Sequence, residues 1–282
     1  MSEVFLGDTA ILADDQAVTG GIIERDGESF YRIGHYDRMP PFFIALVSGF
    51  NHWMYVSSTG GLTCGRRHPG LALFPYETDD RIHDACNTAG PLTTMRVNRG
   101  GKTRLWEPFG RGPCVYRTER NLYKSLVGNR LVFEEINHSL EMVFEYEWTT
   151  GNRFGFIRKA ALRNMGQAPV RIEVMDGLRN LLPHGTDQGM QANFSTLLNA
   201  YRQAEVHAGS SAALYTLSSV PTDRAEPSES LKATIAWNTG LDSPTVLLSC
   251  DQLDSFRHGG HVQPEHTRNG RRCDYVVHYR LD

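Results

Sequence analysis

Apolar residues that recur at every second position constrain this chain more than any other feature. Leu140, Met142, Phe144, Tyr146 and Trp148 alternate with positions that include Glu141, Glu145 and Glu147. Side chains on an extended strand point to opposite faces in turn, so the pattern describes a strand with one face in a core and one towards water. Val170, Ile172 and Val174 alternate with Arg171 and Glu173 after the turn signal Asn164-Met165-Gly166-Gln167-Ala168-Pro169. Cys273, Tyr275, Val277, Tyr279 and Leu281 repeat the pattern at the end. Many of the 27 glycines and 13 prolines fall between such runs, as at Gly20-Gly21, Gly100-Gly101, Gly110 to Pro113 and Gly259-Gly260, where antiparallel strands need turns. The expected fold is all-β, a large antiparallel unit of two stacked sheets with one or two short helices. The main helical candidate is Met190 to Val206, where Phe194, Leu197, Leu198 and Tyr201 have helix spacing, and Pro221 to Ser230 reads as an exposed polar loop.

The 282 residues are read as a single domain. The last alternating strand runs to Leu281 with no polar tail after it, which reads as a domain cut from a longer polypeptide. A net charge of -3 without a long like-charged run argues against nucleic acid and against a polybasic membrane patch. Cys64, Cys86, Cys114, Cys250 and Cys273 are odd in number and contain no Cys-x-x-Cys pair, which points to a reduced, cytoplasmic protein. The N-terminus has no signal-peptide pattern, and no stretch is apolar for the length of a membrane span.

One stretch carries a chemical signal. Asn51 to Val56 is an aromatic strand, Thr59-Gly60-Gly61-Leu62-Thr63 is a tight turn, and Arg66-Arg67-His68 is a basic cluster. Aromatic faces stack on sugar rings, and basic donors reach hydroxyl or phosphate oxygens. Trp53, Tyr55, Arg66, Arg67, His68, Asp79 and Asp80 are therefore the candidate carbohydrate-binding or active-site rim residues, with an oligosaccharide or a sugar phosphate as the expected partner. Asp79-Asp80 and Glu134-Glu135 are adjacent carboxylates, and neighbours on a strand point apart, so neither pair flanks one glycosidic bond. His35 precedes Asp37 by two residues, which would fix its tautomer if they meet, although a satisfied surface histidine is the simpler reading. His258-Gly259-Gly260-His261 with His266 is the nearest approach to a ligand cluster, and no metal or cofactor is expected.

The segments Leu46-Val47-Ser48, His52 to Gly61 and Gly65-Arg66-Arg67, with Ala161 to Asn164, Pro169 to Val174 and Asn193-Phe194-Ser195, resemble the N-terminal domain of glycoside phosphorylases of the cellobiose phosphorylase type. The resemblance spans about residues 30 to 200. It implies a galactose-mutarotase-like β-supersandwich that packs on a C-terminal (α/α)6 barrel, takes part in homodimer contacts and lends a rim to an active site whose catalytic acid lies in the barrel. On that basis the chain alone carries no catalytic residue and serves as a carbohydrate-binding scaffold of a glycoside phosphorylase or hydrolase. The alternatives are a stand-alone mutarotase or epimerase, in which His35, His52, His83 or His184 faces Glu134 or Glu265, and a binding module without chemistry.

Overall fold

In the computed structural model, residues 3–12, 16–112, 115–220 and 230–282 are described, apart from the side chains of Asp79 and Ser195. The strands fall into several hydrogen-bonded sheets. The largest has six strands, in the order Gly155–Asn164, Met142–Gly151, Leu131–Asn137, Thr118–Ser125, Glu28–Gly34 and Thr19–Arg25. A five-stranded sheet runs Thr245–Leu247, Tyr275–Leu281, Arg171–Arg179, Gly90–Arg99 and Lys102–Trp106. A four-stranded sheet runs Thr234–Ala236, Ala213–Leu217, Arg202–Val206 and Thr267–Asn269, and a three-stranded one Phe43–Leu46, His52–Ser57 and Leu62–Arg66. Phe5–Leu6 and Thr9–Ala10 form a small separate ribbon, and every pairing between the described strands is antiparallel.

These four sheets make a four-bladed β-propeller arrangement, which corrects the expected two-sheet supersandwich. Alternation reports that a strand has one buried face, and the all-β reading rests on that alone. It does not report which strands share a ladder. All four sheets send side chains into one core: Phe133, Tyr146 and Trp148 from the six-stranded sheet, Met54, Val56 and Leu62 from the three-stranded one, Met95, Trp106 and Val277 from the five-stranded one, and Ala213 and Tyr215 from the four-stranded one. With the supersandwich go the resemblance to the cellobiose phosphorylase type, the galactose-mutarotase-like label and the scaffold role that rested on them.

The helices also differ from expectation. Three α-helices are present among the described residues, Asp79–Ile82, Gln188–Tyr201 and Leu253–Arg257, with short 3-10 turns at Tyr36–Arg38, Pro69–Leu71 and Ala85–Asn87. The long helix starts two residues before the expected Met190 because Asp187 caps it, its side chain accepting from Met190 N at 2.7 Å. It ends at Tyr201 because Arg202 to Val206 alternates in burial and joins the four-stranded sheet. No helix among the described residues is long and apolar enough to cross a membrane. The expected exposed loop, Pro221 to Ser230, falls almost wholly outside the described residues.

The double glycine joins strands His52–Ser57 and Leu62–Arg66, and its two members have separate reasons. Gly60 has φ of 90°, a left-handed conformation that a side chain disfavours. Gly61 lies against helix Asp79–Ile82 and the turn after it, so a Cβ there would stand 2.1 Å from Ile82 O and 2.9 Å from Cys86 N. Gly61→Ala is therefore expected to lower the unfolding free energy by roughly 1–3 kcal/mol. Gly21→Ala, where a Cβ meets nothing within 4 Å, is the control. Urea denaturation of both variants checks this, and equal midpoints would contradict it.

Candidate functional site

A cavity of about 900 Å³ opens at one end of the six-stranded sheet. Four segments converge on it: the 3-10 turn Tyr36–Arg38, the turn at 58–60, the loop at 109–112, and the start of strand Thr118–Ser125 with the residues before it. Its apolar wall is aromatic. Phe133 and Tyr146 stack at 5.0 Å between centroids, and Phe109 meets Tyr146 edge-on at 5.3 Å. Tyr36 packs edge-on against Phe133 at 5.8 Å. Tyr36 and Tyr146 are only 4% and 3% exposed, yet both line the cavity, and neither hydroxyl has a hydrogen-bond partner among the described residues. Burial pushes both phenols well up from their usual pKa, against the opposing pull of Arg120 on Tyr36 and of Arg158 on Tyr146. They remain neutral donors and acceptors across the physiological range.

The cavity also carries basic groups, and their anchor is Glu135. Parity along strand Leu131–Asn137 puts Glu135 on the core face with Leu131 and Phe133, where its side chain is 2% exposed. Three donors fill its oxygens: Trp106 Nε1 at 2.7 Å, Phe109 N at 2.6 Å and Arg120 Nε at 2.8 Å. Arg120 is its direct cross-strand partner, and it also donates through Nη2 to Gly110 O at 2.8 Å. Burial draws the guanidinium pKa down, but Glu135, Tyr36 and Asp37 outweigh it, so Arg120 stays charged at the cavity. Arg111 and Arg117 line the same cavity. Arg111 reaches Cys86 Sγ at 3.6 Å, and Arg117 has no partner for its guanidinium among the described residues. Glu119 is already engaged by Arg32 at 2.9 Å, with His138 at 3.8 Å. Arg38 and Asp37 also line the cavity, so four arginines face two carboxylates, Asp37 and Glu119.

Beside the cavity, Ser57 Oγ lies 2.7 Å from His83 Nδ1, a distance that nucleophilic catalysis would also use. Ser57 is 0% exposed, however, and its hydroxyl also meets Thr59 Oγ1 at 2.8 Å and accepts from Thr59 N at 3.1 Å. Thr59 Oγ1 donates to His83 O at 2.8 Å. The set pins the 58–60 turn to the segment after helix Asp79–Ile82, and so fixes one edge of the cavity.

Of the seven rim residues read from the sequence, none of the six with described side chains, Trp53, Tyr55, Arg66, Arg67, His68 and Asp80, lines this cavity. Trp53 and Tyr55 are half-buried on the outer face of the three-stranded sheet, 5.9 Å apart between centroids, with Phe43 stacked on Tyr55 at 5.0 Å and Tyr76 edge-on to Trp53 at 5.8 Å. Arg66, Arg67 and His68 are exposed where that sheet ends. Asp80 is exposed on a short helix and accepts from the Thr78 hydroxyl, while the side chain of Asp79 lies outside the described set. Glu134 and Glu135 point to opposite faces, as adjacent strand residues must: Glu134 accepts from Tyr123 Oη at 2.7 Å on the other side. His35 is buried rather than superficial, in a left-handed conformation, and its Nδ1 has no partner among the described residues. Sequence reasoning missed Tyr36, Arg111, Arg117 and Arg120. The one available signal was an acid, Glu135, at a core-facing position between apolar residues.

No protein-family model matches the chain, and no curated protein matches it.

Two buried histidines make stability depend on pH. Burial lowers the pKa of His52, helped by the charge of Arg66, and burial also lowers His278, despite the Glu173 carboxylate 3.5 Å away. Each binds a proton more weakly folded than unfolded, so the unfolded chain takes up protons first as pH falls below about 6.5. Stability is held above that value and is lost as pH drops through it. Denaturant unfolding at neutral pH and at mildly acid pH is expected to show this fall, and His278→Asn to reduce it. A rise in stability on acidification would contradict the assignment.

Proposed function

We propose that the chain is a binding protein for a small anionic metabolite, held in the cavity at the end of the six-stranded sheet. The observation that carries this reading is the make-up of the cavity: Arg120, fixed by Glu135, lines it with Arg111 and Arg117, together with aromatic rings and two phenol hydroxyls that have no partner among the described residues. Guanidinium groups favour phosphate or carboxylate oxygens, and an aromatic wall favours the C–H face of a ring. A cavity of this size takes a metabolite-sized ligand. Of the partners expected from the sequence, a sugar phosphate has the chemistry that meets both the arginines and the rings.

Titration calorimetry with hexose monophosphates, inorganic phosphate and unphosphorylated hexoses tests it. The phosphorylated compounds are expected to bind best. Arg117→Ala, which removes a charged donor with no partner among the described residues, is expected to weaken them roughly tenfold or more. Equal affinity for the unphosphorylated hexoses, or no response to the Arg117 change, would overturn the reading.

A further inference from the structure

The other end of the same strands carries a different surface. Strand Thr118–Ser125 starts at the cavity and ends at the turn of Leu126 and Val127, the latter 75% exposed. Two more turns meet it there. Val47 N donates to Gly128 O at 2.8 Å, which joins the turn of Val47 and Phe50 to that of Leu126 and Val127. Thr150 Oγ1 donates to Ser48 Oγ at 3.0 Å, which joins the end of strand Met142–Gly151, and with it the following turn of Phe154. Val47, Phe50, Leu126, Val127 and Phe154 are all exposed, on three neighbouring tips.

Arginines frame these tips. Arg67 N donates to Asn51 O at 2.9 Å, Arg66 pairs with His52 across the sheet, and the Arg153 guanidinium lies 5.2 Å from the Phe154 ring centroid. None of the three has a carboxylate partner among the described residues. Of the acids on the neighbouring 26–28 turn, Glu28 is engaged by Arg130 at 3.2 Å, and Asp26 is the exposed carboxylate that remains. The end is apolar at its tips and positive around them.

We infer that this end of the molecule docks on an anionic lipid surface, with Val47, Phe50, Leu126, Val127 and Phe154 entering between the headgroups and Arg66, Arg67 and Arg153 on the phosphates. Charge complementarity selects a negative partner. The tips select a bilayer, because they present single side chains separated by polar turn residues such as Ser48, Asn129 and Asn152, not one continuous face. Insertion also requires that backbone donors be satisfied within the protein. Here Val47 N, Leu126 N and Gly128 N all donate to backbone carbonyls, at 2.8, 3.0 and 2.8 Å. Long basic side chains hold their charge at headgroup level while their stems lie along apolar surface. The expectation of no membrane contact rested on the absence of a run of basic residues, and the fold assembles a basic rim from residues 86 positions apart, Arg67 and Arg153. The cavity, at the far end of the strands, stays open to solution.

Co-sedimentation with vesicles tests this, using phosphatidylcholine alone against equal parts of phosphatidylcholine and phosphatidylserine. Binding is expected on the anionic vesicles only, and it is expected to decline as salt rises. The double variant Leu126→Ser with Val127→Ser is expected to partition at least roughly tenfold more weakly, and Arg66→Ala with Arg67→Ala and Arg153→Ala to lose the preference for anionic lipid. Circular dichroism of both variants confirms that they remain folded. Equal binding to neutral vesicles, no binding at low salt, or a dimer seen by light scattering that the Leu126 and Val127 changes abolish without any vesicle binding would overturn the proposal.

Discussion

A carboxylate in a protein interior costs several kcal/mol unless its oxygens are filled and its charge is matched. Glu135 meets that demand with three donors from three segments: an indole from the edge of the five-stranded sheet, a backbone N–H from the loop that follows, and the guanidinium opposite it on the neighbouring strand. Its position makes it a junction. Trp106 belongs to a different sheet, so the contact ties two blades of the arrangement together at their shared core. Phe109 and Gly110 belong to the loop that walls the cavity, so the same contact sets where that wall stands.

The second fixed edge is the turn of the three-stranded sheet. Gly61 lets the turn lie on the backbone of residues 82–86, and Ser57, Thr59 and His83 then lock it by side-chain hydrogen bonds. Between the two edges the cavity is lined by aromatic rings packed on one another and by the Arg120 guanidinium, whose own contacts hold them in place. Such a preorganised surface binds a ligand without first ordering its own side chains. At the opposite end the same hairpins finish in short turns with apolar tips, so one set of strands presents two chemically different ends.

Much of the local structure was legible in the sequence. The alternation around Met142 to Trp148, around Ile172 and Val174, and from Tyr275 to Leu281 marks strands that exist, and the turn at Gly60-Gly61 is where it was expected. The arrangement of sheets was not legible, because period-two patterning carries no information about which strands pair or how sheets are set around a core. The resemblance that filled this gap led to the wrong architecture. A helix over Met190 to Val206 was expected, and Gln188–Tyr201 is helical, but Arg202–Val206 forms a strand in which Arg202 and Ala204 alternate in burial with their neighbours. The cavity was hidden for a related reason. Tyr36, Arg120 and Tyr146 lie far apart in sequence, and the strand pairing that sets Arg120 against Glu135 is not written in the local pattern. The Glu134-Glu135 pair was noticed as a neighbouring pair and set aside, although its second member sits at a core-facing parity.

The central claim is that Glu135 and Arg120 hold each other in place. A double-mutant cycle with Glu135→Leu and Arg120→Met, read by denaturant unfolding, tests it most directly. Each single change leaves a buried charge without its partner and is predicted to cost about 3–5 kcal/mol. The double variant is predicted to cost less than the sum of the two by about 1–3 kcal/mol. Costs that simply add would show that the two residues act independently, and would contradict the account.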